Sequence, residues 1–343
     1  MRYFVENGSS SSFTSSPSLL VMPLPGCNSP VPPHWALSFN DLLADYMVDL
    51  FQYRISQGPE EIRHLRPIPQ IGLETLCEAS LMVSKIVLAY RNQVQLPEVD
   101  IVHLAETVHQ SNQIEVHTEG LMLPANPGIW RELREPTVII NCSGHVLLWY
   151  LPGAMSQPNQ VGDILFYMFG EPNEKQIMMW KSLEMLKEPL ECSIHAAAPS
   201  TNWCLHVDLF RMTADLKGTI NLSPAWFQQG RNTHNSVPEV SALLKGHRMD
   251  NGTRQWVRQS RDQWAILSGA MAIMHLDMYA TGREALEALA IWLSVFSVAS
   301  MMVNQATAMH LDGHSQPQWL DLLANFGEHE DLDLVLSTIG VHA

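Results

Sequence analysis

Four His-x-Asp pairs are the residues of this chain best suited to bind a metal ion. They are His206/Asp208, His275/Asp277, His310/Asp312 and His329/Asp331. On a β-strand, residues i and i+2 lie on the same side, so an imidazole and a carboxylate with this spacing can reach one ion. With a distal histidine they form the facial triad of non-haem iron oxygenases.

The sequence around two of these pairs indicates which one is a candidate metal site and which one is a solvated pair. His310 and Asp312 follow a predicted buried strand, Val298 to Val303, and precede a glycine. The chain should therefore turn away while both side chains point to one place. His329 and Asp331 lie in an acidic loop, where two solvated side chains are expected.

The other two pairs receive different interpretations. His275 and Asp277 lie in a helical run, where residues i and i+2 point apart, so we expect a buried histidine and an exposed aspartate. His206 and Asp208 lie in a candidate strand, Trp203 to Phe210, and stay open as a second metal pair.

A longer motif surrounds His310. Residues 303 to 315 read V-N-Q-A-T-A-M-H-L-D-G-H-S, and W-L-D-L-L at 319 to 323 and Gly327 follow. This order resembles the N-terminal iron-site motif of fungal TET/JBP-type 2-oxoglutarate and Fe(II)-dependent dioxygenases. There, a V-N-x-x-T-x-x-H-x-D-x-x-S strand leads to an aromatic-x-D-L-L helix and a glycine turn. Residues 222 to 231 and 148 to 153 are similar to segments ahead of that core, so the resemblance covers roughly residues 135 to 340.

The resemblance implies a fold and a reaction. The fold is a double-stranded β-helix, and the reaction oxidises the methyl group of 5-methylcytosine in nucleic acid while 2-oxoglutarate becomes succinate. The base would have to be flipped out of the duplex to reach the iron. By the resemblance, His310 and Asp312 are Fe(II) ligands and Asn304 faces the cosubstrate. The next position, often Arg in the family, is Gln305 here.

Two parts of the family's site have no counterpart. The distal histidine is expected on a later strand, and His314, His329 and His342 do not match that position. No Lys or Arg follows Arg283, although the family holds the far carboxylate of 2-oxoglutarate with a downstream arginine. We therefore expect an oxygenase core that lacks its C-terminal part, retains iron poorly and is inactive as this chain, with no catalytic residue assigned.

Composition restricts the partners. The 343 residues, 46% of them hydrophobic, can bury a sizeable core. Against 35 Asp and Glu there are 20 Lys and Arg, and the formal charge of −15 disfavours the nucleic acid that the resemblance implies. The richest basic stretch runs from Lys245 to Arg261, and a solvated helix face explains it better than a nucleic-acid patch.

Cysteine usage and hydropathy indicate the compartment. The five cysteines, Cys27, Cys77, Cys142, Cys192 and Cys204, include no C-x-x-C pair, which argues against a disulfide framework or structural zinc. No signal peptide is recognisable, so an intracellular location, nuclear or cytoplasmic, is expected. The uncharged stretch Ala288 to Ala308 is interrupted by polar residues, which favours a buried helix running into a buried strand over a membrane span.

The overall prediction is α+β, with a helical N-terminal region before an incomplete double-stranded β-helix. Three regions are expected: a disordered Ser/Pro-rich tail (1–34), a helical region (35–134) and the TET/JBP-like region (135–343). The strand from Val298 to Val303 is expected to lack a partner, and its open edge would favour self-association. The predicted elements are a helix after Trp35 capped by Asn40 or Asp41, helices over 73–94, 161–169 and 174–186, a hairpin over 137–151, a helical region over 255–293 broken near Thr281 and Gly282, and a short helix over 319–325.

Overall fold

A computed structural model describes most of the predicted elements of the chain. The described residues are 39–57, 68–96, 131–155, 183–196, 207–224, 239–245, 252–286, 294–307, 321–324, 334–336 and 339–342. Within them the chain mixes helices with three small sheets, so the α+β class is confirmed. The expected tail, the predicted helix over 161–169, and His310 and Asp312 lie outside the described residues.

The helices and strands are numbered in chain order. The helices are α1 (Phe39–Gln57), α2 (Leu73–Arg91), α3 (Lys187–Ala196), α4 (Ala242–Lys245), α5 (Thr253–Gln259), α6 (Arg261–Met274) and α7 (Leu276–Leu286). The strands are β1 (Gln93–Leu96), β2 (Arg131–Glu132), β3 (Thr137–Asn141), β4 (Val146–Tyr150), β5 (Gly218–Leu222), β6 (Ala299–Val303), β7 (Val335–Leu336) and β8 (Val341–His342).

Helices α1 and α6 form the centre of the largest core and run parallel. The guanidinium carbon of Arg261 lies 4.0 Å from the ring centroid of Phe39, at the start of both helices. Further along, Gly269 lies so close to Met47 that an added Cβ would be 2.5 Å from its sulfur. The absence of a side chain at Gly269 therefore allows the two helices to approach each other.

Helix α2 packs on α1 in the same direction. Phe51 and Tyr90 meet edge to face with their ring centroids 5.9 Å apart, and Arg91 Nη2 donates to the backbone oxygen of Arg54 at 2.9 Å. Parallel helices place like ends of their dipoles side by side, which is unfavourable. Acidic residues in the first turns and arginines in the last turns offset this repulsion. Here Asp41 and Arg54 do so in α1, and Glu74 and Arg91 in α2.

The predicted hairpin is confirmed as β3 and β4. The strands pair antiparallel with a bulge between Ile139 and Ile140. Asn141 Oδ1 accepts hydrogen bonds from the backbone N–H groups of Ser143 and His145, and Gly144 has a φ of 81°, which closes the turn. The partner on the other side of β3 is β1, which runs parallel to it and was not predicted.

Three predicted helix boundaries are wrong. Helix α2 ends at Arg91 instead of near residue 94, because the chain turns at Asn92 into β1. The helical region after residue 252 is broken at Ser260 and His275, whereas Thr281 and Gly282 lie inside α7. Asn40 and Asp41 lie within α1, so neither is the residue before its first turn.

Two further expectations fail near the candidate site. Residues 321 to 324 are described and are not helical, which contradicts the predicted helix over 319–325 at those positions. Strand β6 has a partner, since β5 pairs with it antiparallel from Gly218 opposite Val303 to Leu222 opposite Ala299. The expected self-association therefore cannot rest on an unpaired β6.

Elements from both sides of the expected boundary at residue 134 pack together. Helices α1 and α2 share one core with residues of α6, and β1 pairs with β3. Of the helices in the described part of the chain, none combines the length and the apolar character needed to cross a membrane.

Candidate functional site

Strand β6 leads toward the candidate metal site. The described stretch that contains β6 ends at Thr307, three residues before His310. The inward side chains of β6, Ala299, Met301 and Val303, pack in a core with Leu190 and Leu222. A buried inner face fixes the register of the strand, because a slip by one residue would turn these side chains toward solvent. The chain therefore leaves β6 from a defined position.

Asn304 directly follows β6 and holds a neighbouring loop. Its φ is 51°, the left-handed conformation that asparagine adopts more readily than most residues. Its side-chain Nδ2 donates to the backbone oxygen of Leu216 at 2.8 Å, and its own backbone oxygen accepts from the N–H of Arg211 at 2.8 Å. Asn304 thus fastens residues 211 to 216 to the end of β6, so its amide N–H is engaged within the chain.

Gln305 continues this attachment. Thr219 Oγ1 donates a hydrogen bond to Gln305 Oε1, and Gln305 forms an isolated antiparallel bridge with Phe210. The backbone N–H of Ala306 donates to the oxygen of Leu209 at 2.8 Å. A neutral amide therefore stands where the resembling family often has arginine, and its oxygen is hydrogen-bonded inside the protein.

Two cationic side chains, Arg211 and Lys217, lie in the segment between Phe210 and β5 that Asn304 holds. Lys217 Nζ donates to the backbone oxygen of Ala214 at 2.7 Å, whereas Arg211 is exposed. Its backbone contact to Asn304 places Arg211 beside the start of the candidate metal-site motif. A guanidinium can bind a carboxylate through two hydrogen bonds, so Arg211 is a described group with the chemistry to hold 2-oxoglutarate.

The second candidate metal pair does not have strand geometry where it is described. Residues Val207–Leu209 form a 3-10 helix with Asp208 exposed, so the predicted strand over 203–210 is wrong there; His206 lies outside the described residues. Within the described ranges, no group of three or more His, Cys, Asp or Glu side chains could hold a metal ion.

His275 is buried, as the sequence predicted, but it lies between two helices rather than inside one. Only 7% of its surface is exposed, while Asp277 is half-buried instead of exposed. The two residues therefore do not form a strand-like metal pair.

Several cations of the basic stretch from Lys245 to Arg261 have partners within the chain, and the pairs made by Lys245 and Arg261 are exposed. Arg254 donates to the backbone oxygens of Leu244 and Lys245 at 2.7 and 2.8 Å, which satisfies the C-terminal carbonyls of α4. Lys245 Nζ pairs with Glu239 at 3.0 Å, and Arg261 pairs with Asp262 at 3.3 Å. These contacts favour a structural use of the stretch over a surface for phosphates.

A buried ionic cluster that the sequence did not predict lies between α1 and α7. Arg283 donates to both oxygens of Asp41, through Nε at 2.5 Å and Nη2 at 2.8 Å, and Tyr279 Oη donates to Asp41 at 3.3 Å. Burial, and next the negative charge of Asp41, raise the pKa of Tyr279. Desolvation, and next Asp41 and Asp49, raise the pKa of Asp45 one turn further along α1. Asp41 lies opposite the apolar face predicted for this helix, so the apolar spacing did not indicate that it is buried.

A second missed cluster surrounds Arg54 at the contact of α1 and α2. Its guanidinium donates to Ser80 O, Ser80 Oγ and Ser84 Oγ at 2.8, 2.8 and 2.5 Å. Burial lowers the pKa of Arg54, because desolvation penalises the charged form of the guanidinium. Two serines spaced i, i+4 on an otherwise apolar helix are the sequence signal of such a partner.

Comparison with known proteins adds no relative to this picture: no protein-family model matches the chain, and neither does any curated protein sequence.

Proposed function

We propose that this chain is a TET/JBP-type protein that retains the His310 and Asp312 half of an Fe(II) site and does not turn over 2-oxoglutarate by itself. The observation that supports the proposal is the exit of β6. The motif from residue 303 to 315 begins where a buried strand ends, and Asn304 and Gln305 fasten that end to the loop before β5.

The two proposed ligands suit Fe(II) but bind it weakly alone. Imidazole and carboxylate are the donors of the facial triad, and affinity falls when the third donor is missing. When bound together, iron and 2-oxoglutarate supply the oxidising chemistry of this family. Among the described residues by themselves, no group of three or more His, Cys, Asp or Glu side chains could hold a metal ion.

The finer fold that accompanies the proposal is the family's double-stranded β-helix. That fold is built from antiparallel strands, and the antiparallel pairing of β5 with β6 is of this kind. Nucleic acid is a disfavoured partner for the isolated chain, because its formal charge is −15 and Arg254, Lys245 and Arg261 have internal partners.

An anaerobic Co(II) titration of the purified chain tests the metal site, since the absorption bands of Co(II) report its ligands. We expect weak binding that His310→Ala abolishes. His329→Ala is the matched control, because it removes a histidine from another His-x-Asp pair, and it should leave the titration unchanged. Equal loss in both variants, or no binding by the parent chain, would exclude a site at His310.

A second arm tests the lack of turnover. The same titration with Fe(II) is repeated with 2-oxoglutarate, and succinate is measured after air is admitted. We expect no succinate above free iron. Succinate above the free-iron level would show that the non-catalytic part of the proposal is wrong, and its loss in Arg211→Gln would assign Arg211 to the cosubstrate.

A binding protein without metal is the second candidate, and two observations favour it. The amide N–H of Asn304 is engaged with Leu216, and residues 321 to 324 lack the helix that follows the family's motif. This candidate predicts cooperative unfolding that neither Fe(II) nor 2-oxoglutarate shifts, because a ligand stabilises only a protein that binds it. A midpoint that rises with Fe(II) in the parent chain but not in His310→Ala would eliminate it.

A further inference from the structure

His275 is the junction of α6 and α7, and its backbone belongs to both helices. Its N–H donates to Met271 O at 2.7 Å, which closes α6, and its carbonyl accepts from the N–H of Tyr279 at 3.1 Å, which opens α7. Its φ of −155° and ψ of 81° are extended, so the chain changes direction at this residue.

The imidazole of His275 caps α7. The N–H of Met278, the third residue of the helix, donates to His275 Nδ1 at 3.3 Å. This is the bond that a serine or aspartate side chain makes at a helix N-terminus. Because a neutral imidazole has one acceptor nitrogen, the bond places the ring proton on Nε2.

We propose that His275 is a pH-sensitive hinge, whose protonation uncaps α7 and releases this helix from α1. A protonated imidazole has two N–H donors and no acceptor. Nδ1–H would then point at the N–H of Met278, and a positive charge would stand at the positive end of the helix dipole. Both changes oppose the first turn of α7.

The charges around His275 leave its neutral form favoured in the folded protein. Burial lowers its pKa, and Asp277 on α7 raises it by a smaller amount. On α1, Asp41 is neutralised by Arg283, and Asp45 lies one turn beyond it. Helix α6 carries its charged side chains in its first turn, at the other end, and residues 294 to 298 are uncharged.

The sign of the effect follows from the lowered pKa. Between the unfolded value of about 6.5 and the folded value, the opened state binds more protons than the closed state. The closed state is therefore fully favoured above about pH 6.5 and loses that advantage as the pH falls toward the folded pKa. Opening would expose the apolar contact of α7 with Ala44, Met271 and Ala272.

Hydrogen exchange of the α7 amides, corrected for the intrinsic rate at each pH, measures this opening. In the parent chain, protection of the Met278 and Tyr279 amides should fall by up to about tenfold per pH unit below pH 6.5, because one proton is coupled to opening. Amides of α2 around the fully buried Ala79 and Ile86 are the internal reference and should change less.

Two variants of His275 distinguish the loss of the capping hydrogen bond from the effect of protonation. His275→Asn keeps a good capping acceptor without titrating, so protection of α7 should be independent of pH. His275→Ala removes the cap and should lower protection equally at pH 7.5 and 5.0. If His275→Asn retains the pH dependence of the parent chain, or if the parent chain shows none, the hinge is wrong.

Discussion

Arg283 and Asp41 form a two-point ion pair across 242 residues of sequence, with 10% and 5% of their side chains exposed. No Lys or Arg follows Arg283 in the sequence. In the sequence, Arg283 stood out only because no Lys or Arg follows it. In the structure, its guanidinium joins the end of α7 to the first turn of α1.

The first prediction concerns this ion pair. Arg283→Met should lower the free energy of unfolding by about 3–5 kcal/mol, because it leaves Asp41 charged and buried without its partner. Urea unfolding followed by circular dichroism measures the change. Arg134→Ala is the matched control, since the Arg134–Glu132 pair is exposed and should contribute less than about 1 kcal/mol. Similar losses in both variants would show that burial does not strengthen the pair.

The second prediction concerns Gly282, which lies inside α7. Alanine there should gain about 1 kcal/mol of helix propensity. Its Cβ would, however, lie 2.2 Å from the backbone oxygen of Val295, and backbone cannot move as a flexible side chain does. We therefore expect a net loss of about 1–3 kcal/mol in urea unfolding.

Gly72→Ala is the control for that substitution, because its Cβ would meet Thr75 Oγ1 at an ordinary 3.8 Å. Because Gly72 is the N-cap residue of α2, where alanine is less favourable than glycine, this variant should cost no more than about 1 kcal/mol. A stabilised Gly282→Ala would mean that the chain at Val295 does not lie against α7.

The third prediction concerns pH and Asp45. Desolvation, then Asp41 and Asp49, raise its pKa, although Arg283 lowers it. The folded state therefore favours the protonated carboxyl, and stability falls as the pH rises from 3.8 through the folded pKa. Asp45→Asn should raise the melting temperature at pH 7 and leave it unchanged near pH 3.

Glu188→Gln serves as the control for the loss of one negative charge, because Glu188 is an exposed residue on α3. Its melting temperature at pH 7 should stay close to that of the parent chain. If Asp45→Asn and Glu188→Gln raise the melting temperature equally, general charge repulsion is responsible and not the burial of Asp45 near Asp41.

The fourth prediction concerns the turn after β6. Asn304→Val should cost about 2–3 kcal/mol, the sum of a left-handed β-branched residue and the lost hydrogen bond to Leu216. Asn304→Gly keeps the backbone conformation and should cost about 1 kcal/mol. Urea unfolding of the two variants distinguishes them, and an equal loss would show that φ at this position is not constrained.

Much of the local structure follows from the sequence by itself. The apolar spacing in α1 and α2, and the Ser-Gly turn between β3 and β4, predicted elements that the structure confirms. These signals are local, because helix periodicity and turn conformation depend on residues a few positions apart. The burial of His275 was predicted for the same reason, from its place in an apolar helical run.

The positions of helix breaks and the partners of strands could be determined only from the tertiary structure. The four residues of β1 have no strong strand pattern, and their hydrogen bonds come from β3 more than forty residues later. Helix α7 continues through Thr281 and Gly282, because Gly282 permits close contact with Val295. The break falls at His275 instead, where the side chain can cap the next helix.

The candidate site, too, was predictable from the sequence in some features and not in others. The sequence by itself determined the order of the residues in the candidate metal-site motif and the lack of any Lys or Arg after Arg283. Only the tertiary structure decided that β5 pairs with β6, that the Asn304 amide holds Leu216, and that Arg211 lies beside the strand end. The physical reason is that sequence spacing specifies which faces residues occupy, whereas hydrogen-bond partners between distant segments are selected by the packing of the whole chain.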